Sequence, residues 1–122
     1  MTNRQTIAVN FLRDARAGRR AEVEAVIAPG FRHHNPYFAA GATPLIDAMM
    51  AAAKASPVND LFVKHVAADG DLVWVHSHVP FGDGTPGYAV VHILRFDGDR
   101  VAEFWDVGQA IPAENPNTDG MF

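Results

Sequence analysis

Two residues have the types and the spacing for acid–base chemistry: His92, within the apolar run 88–96, and Asp106, between Trp105 and Val107. A carboxylate among large apolar residues is costly to bury ionised, so burial raises its pKa and makes Asp106 a candidate general base. A His partner works the other way and favours the ionised form. Together they would form an acid–base unit able to move a proton at a carbon next to a carbonyl. The alternatives are plainer. His92 could be a satisfied core residue among Val90, Leu94 and Phe96, and Asp106 could cap a backbone feature or pair with Arg32 or Arg95. The turn between the two segments decides the matter. A three-residue turn at Asp97, Gly98 and Asp99 sets His92 opposite Phe104 and Asp106 opposite Val90. The two are then diagonal neighbours on one face. A turn of two or four residues sends them to opposite faces.

The other polar candidates are weaker. His76 and His78 are two apart on a strand and share a face with Trp74. They could offer two metal ligands, or they could form a polar row facing solvent or a second subunit. His33, His34, Asn35 and Pro36 are polar but lie between helical segments, and one of the two histidines is expected to face solvent. His34 and Asn35 are the expected inward groups. Gln109 follows Asp106 by three. The candidate set is therefore Asp106 and His92 as catalytic residues. His34, Asn35, His76, Trp74, Phe104 and Gln109 are the candidate binding residues, with no metal assigned.

These residues need a scaffold. Residues 3–17 place Ile7, Phe11, Leu12 and Ala15 at helical spacing, with Gly18 as the C-cap. A second helix is predicted over 19–28, ended by Pro29 and Gly30. A third follows Thr43 as N-cap and Pro44 as first helical residue, and leaves at Ser56 and Pro57. From residue 60 the apolar period changes to two, predicting strands over 61–68, 72–79, 88–96 and 100–109. Helices precede strands without alternating, so the class is α+β: three N-terminal helices packed on a curved antiparallel or mixed sheet. A sheet that curls around its helices leaves a cavity on the concave side. The final residues 111–122 are irregular but end on Met121 and Phe122, and are expected to fold back onto the domain or a partner subunit.

Composition narrows the function. The chain has 122 residues, 48% of them hydrophobic and 20% charged, with a net charge of −4. One domain over 1–122 is expected. Beyond Arg19 and Arg20 there is no basic run, so nucleic acid is not an expected partner. No stretch approaches the roughly 18 apolar residues of a membrane span, and polar residues interrupt the N-terminus, so a cytoplasmic location is the default. There is no cysteine. No serine-nucleophile motif, P-loop or dinucleotide fingerprint occurs, so covalent catalysis, nucleotide binding and redox cofactors have no support in the sequence and no cofactor is assigned.

Several blocks resemble the SnoaL-like polyketide cyclase family of the NTF2-like superfamily. They are residues 34–36, 68–73, 93–96, 101–109 and 120–122, of which the Glu103, Trp105, Asp106, Val107 and Gln109 block is the most specific. The resemblance implies a cone-shaped α+β barrel with a deep pocket, usually a homodimer through the outer sheet face. It also implies an Asp on the last strand acting as acid/base in cofactor-free aldol closure, near a His on the preceding strand. Asp106 and His92 match those positions. The expected function is cofactor-free acid–base catalysis on a small hydrophobic carbonyl compound, as a cyclase, isomerase or dehydratase. The alternatives are a non-catalytic binder of a small hydrophobic molecule and a His-based metal site.

Overall fold

The computed structural model describes residues 1–122. Helix α1 (Asn3–Ala17) starts at a capping box, in which Thr2 and Gln5 each bind the other's backbone N–H, and ends at Gly18. Helix α2 (Arg20–Ala25) is shorter than the sequence predicts. Ile27 and Ala28, expected at its end, belong instead to strand β1 (Ile27–His33). Long-range pairing overrides local propensity here: Val101 N–H donates to Val26 O at 2.7 Å, and Ile27 pairs with Val101 in parallel. Pro29 and Gly30 break the register of that pairing rather than end a helix. Helix α3 (Ala42–Ala55) begins after Gly41, two residues before the expected cap. Thr43 and Pro44 fall inside its first turn, where a missing N–H costs nothing because those donors have no intrahelical partner.

Strands β2 (Phe62–Asp69), β3 (Leu72–Val79), β4 (Tyr88–Asp97) and β5 (Arg100–Ala110) follow as a meander. The sheet order is β1-β5-β4-β3-β2, antiparallel except for β1 on β5. Its concave face packs on α1 and α3. Phe11 of α1 meets Phe104 of β5 with ring centroids 5.6 Å apart, and Leu12, Leu45, Val75 and Leu94 are buried around them. No helix is long and apolar enough to cross a membrane.

The β4–β5 hairpin differs from the sequence expectation in a way that matters for function. Asp97 pairs with Arg100, so the turn has two residues, with Gly98 at the first position and a φ of 59°. A positive φ there is what a type II′ turn requires. A two-residue turn alone would put His92 and Asp106 on opposite faces. However, Phe96 pairs with Val101 while Arg95 pairs with Glu103, which leaves Ala102 as an extra residue. This β-bulge restores the parity. His92 then lies directly opposite Asp106, and not opposite Phe104, which pairs with Leu94.

The β3–β4 connection, residues 80–87, closes on Gly87. Its φ is 86°, and an added Cβ would collide with the Val79 carbonyl oxygen and lie 2.8 Å from Pro80 Cα. Gly87→Ala combines backbone strain with this clash and is expected to destabilise the fold by about 2 kcal/mol or more. Urea denaturation checks it; a loss under about 0.5 kcal/mol would show that the connection is not held this way.

Candidate active site

Alternation along the strands decides which side chains reach the concave face. On β4 and β5, His92, Phe104 and Asp106 point inward, while Glu103 and Trp105 point outward. The loop from β1 to α3 completes one wall. His33 anchors that loop. Asn35 N–H donates to His33 Nδ1 at 3.1 Å, and His33 Nε2–H donates to Ala39 O at 2.7 Å. Because the first partner can only donate and the second can only accept, His33 is neutral and protonated on Nε2. Asn35 is oriented by the same logic. Tyr37 N–H donates to its Oδ1 at 2.9 Å, which turns Nδ2 toward Asp106, where it donates to Oδ2 at 3.0 Å. The Asp106 carboxylate is thus held by a side chain that is itself held.

His92 faces Asp106 from β4. Its ring stacks on Phe104 at 5.5 Å. Burial pushes its pKa down to about 4, and the opposing charge of Asp106 only partly offsets this. The imidazole is neutral at pH 7. Its Nδ1 is buried and has no hydrogen-bond partner in the chain, a costly state for a polar atom. Ser77 Oγ, fully buried on the same face of β3, is likewise unpartnered. His92 and Asp106 border a cavity of about 780 Å³ whose lining is mostly apolar, including Leu45, Met49, Val90 and Phe104. The arrangement offers an oriented carboxylate, a neutral imidazole and a large apolar volume: the parts for moving a proton on a hydrophobic molecule.

Of the residues proposed from sequence, Asp106, His92, Asn35 and Phe104 line this cavity. His34, Trp74, His76 and Gln109 do not. His34 lies on the outer face, not the inner one. It stacks on Trp105 at 4.9 Å, with its Nε2 2.5 Å from Glu103 Oε2. Glu103 also accepts from Arg32 Nη2 at 3.2 Å and Arg95 Nε at 3.1 Å, so those arginines are not partners of Asp106. On β3, Val73, Val75 and Ser77 take the buried row, which puts Trp74, His76 and His78 outside. His76 stacks on His65, and the terminal Phe122 folds back against His76 and His78, at 5.6 Å and 5.2 Å. No third ligand joins them, and no group of three or more side chains suited to a metal occurs. Gln109 is three residues from Asp106, an odd step that places it on the opposite face.

Sequence reasoning missed Arg16, which lines the cavity from α1. The signal was available: Arg16 follows Leu12 by four and so shares its buried face.

A family model described as a SnoaL-like domain matches residues 8–104. The chain belongs to the SnoaL-like family. Solved structures agree in fold. AclR from Streptomyces galilaeus is 19% identical, with a TM-score of 0.69 over 87% of this chain and 88% of that one. TsrD from Streptomyces laurentii is 18% identical, with a TM-score of 0.71 over 88% of each. An NTF-2 like protein of unknown function from Burkholderia xenovorans reaches 0.73 at 14% identity, over 94% of this chain and 88% of that one. No curated protein matches the sequence. The curved mixed sheet with its helices on the concave side is therefore the SnoaL-like, NTF2-like fold.

Two pH windows follow from the charges. The unfolded chain binds a proton on His92 between about pH 4 and 6.5 that the folded chain does not, so stability rises with pH across that window. His92→Phe is expected to remove this part of the slope, of order 3 kcal/mol across the window, and an unchanged slope in denaturant titrations would contradict a buried neutral His92. The hydrogen bond from His34, then that from Arg95, hold Glu103 below its usual carboxylate value. Its contribution is complete above the ordinary carboxylate value and is lost as pH falls through the lower folded one. Glu103→Gln is expected to lower stability at pH 7 and to flatten the acid limb below pH 4.5; an acid limb as steep as in the native chain would show that Glu103 carries no such linkage.

Proposed function

We propose that this SnoaL-like protein is a cofactor-free acid–base enzyme acting on a small hydrophobic carbonyl compound. The observation that carries this reading is Asp106, oriented by Asn35 and facing a neutral, unpartnered His92 inside an apolar cavity. Asp106 takes a proton from the carbon next to the substrate carbonyl. His92, neutral at working pH, donates a hydrogen bond to the oxygen on which negative charge develops. The resulting enolate can close onto a second carbonyl, be reprotonated elsewhere or expel a leaving group, giving cyclase, isomerase or dehydratase chemistry. Both groups come from the chain, so the proton transfer calls for no cofactor. The apolar lining excludes water and strengthens the charge interactions inside.

A second reading, binding without catalysis, draws on the same mostly apolar cavity, which a hydrophobic molecule could fill without any proton being moved. The outer sheet face, where Phe62 and Val107 are exposed, would suit a homodimer.

The two readings separate on α-proton exchange. In deuterated buffer, the native protein is expected to accelerate exchange at the activated methylene of 2-tetralone, followed by proton NMR. Asp106→Asn should reduce the rate at least about 100-fold while leaving the circular dichroism spectrum intact. Exchange at the native rate in the variant would remove Asp106 as the base. Binding of the ketone without any accelerated exchange would favour the non-catalytic reading.

A further inference from the structure

Arg16 is a charged group of the cavity that the acid–base reading leaves without a task. It is 9% exposed. Its Nη2 donates to Ser56 Oγ at 3.0 Å and to Pro80 O at 2.7 Å, and its guanidinium lies over the Phe81 ring at 5.1 Å. These contacts tie α1 to the exit of α3 and to the β3–β4 connection. They use one nitrogen. Nε is buried without an acceptor, and Nη1 has none in the chain. No Asp or Glu forms an ion pair with Arg16, although most of the other arginines have one. Burial pushes its guanidinium below the ordinary arginine value, yet an arginine stays protonated in any protein environment. A cation held by neutral acceptors alone, on a largely apolar wall, is a poor structural choice, because its desolvation goes uncompensated. A clamp between two loops needs the donors of Nη2 and does not need that charge.

We propose that Arg16 is the counter-charge for an acidic ligand. The cavity takes an amphiphilic carboxylate, its anionic group on Arg16 and its apolar body against Leu45, Met49 and Phe104. Its reacting carbonyl is presented to the β4–β5 wall that carries His92 and Asp106. Arginine suits this task because it stays charged when buried and is weakly hydrated for a cation, and here Nη1 keeps its donors free while Nη2 holds Ser56 and Pro80. The assignment builds on the proposed acid–base reading and narrows it from hydrophobic carbonyl compounds in general to oxo-acids. It also gives the substrate a fixed direction: the charged end is anchored on the α1 wall, so the reacting carbon is presented in one orientation.

The test uses two probes of nearly equal shape, 2-naphthoate and 2-naphthamide, titrated calorimetrically into the full chain at pH 7.5. The native protein is expected to bind the carboxylate at least about tenfold more tightly than the amide. Arg16→Met should abolish the preference while keeping amide affinity within about twofold, and Arg16→Lys should restore part of it. Asp106→Asn should keep the preference, so a failed exchange assay with the preference intact would count against the catalytic reading and not against this one. Equal affinity of the native protein for the two probes would overturn the proposal. So would a folded Arg16→Met that weakens both equally, which would leave Arg16 as a clamp alone. Should Arg16→Met not fold, the native comparison and Arg16→Lys decide the case.

Discussion

One extra residue in strand β5 determines which side chains of the β4–β5 hairpin reach the concave face. Side chains on a strand alternate between faces, so a single-residue change of register exchanges the inner and outer rows. The two-residue turn at Gly98 and Asp99 would send Asp106 to the outer face if β4 and β5 ran on without interruption. Ala102 interrupts them. Beyond the bulge, Phe104 and Asp106 join His92 and Leu94 on the concave side, and Glu103 and Trp105 take the outside. The same step assigns both polar clusters of the sheet: an oriented carboxylate facing a neutral imidazole within, and an arginine–histidine–glutamate network without.

The two clusters carry different energetic weights. Outside, Glu103 is surrounded by two arginines and a histidine stacked on Trp105, so its charge is compensated and its bonds tie β1, β5 and β4 together. Inside, His92 and Ser77 have polar atoms without partners, and Arg16 has charge without a counter-charge. Groups left unsatisfied in a well-packed domain weaken it, and a fold keeps them where a bound molecule completes them. All three border or lie beside the concave face, whereas the outer-face cluster is satisfied. That contrast, more than the cavity's volume, is what supports the proposal that the inner face holds the site.

Much of the fold was legible in the sequence because its signals are local. The apolar period of α1, the strands set off by turn residues and the return of Phe122 to the sheet all follow from short-range pattern. What was not legible depended on distant partners. Ile27 and Ala28 look helical until Val101 is known to lie beside them. The hairpin's parity was anticipated, but for the wrong reason, since a bulge leaves no clear mark in a run such as 100–104. The histidines show the same limit. Spacing placed His76 and His78 on one face without saying which, and only the burial of Val73, Val75 and Ser77 puts them outside. His34 and His33 exchanged places because the face of a residue just beyond a strand end depends on where pairing stops. Arg16 was overlooked for a different reason: its charge masked a position that helical spacing already marked as inward.

His92 and Asp106 line one cavity, and burial keeps the His92 imidazole neutral there. The decisive measurement follows the His92 ring signals by NMR through a pH titration of the native protein and of Asp106→Asn. The expected midpoint in the native protein is about 4, displaced by burial, and it should fall further in the variant, because the charge of Asp106 is what partly opposes that displacement. A midpoint near the ordinary histidine value of 6.5, unmoved by loss of the carboxylate, would show that His92 is solvated and does not face Asp106.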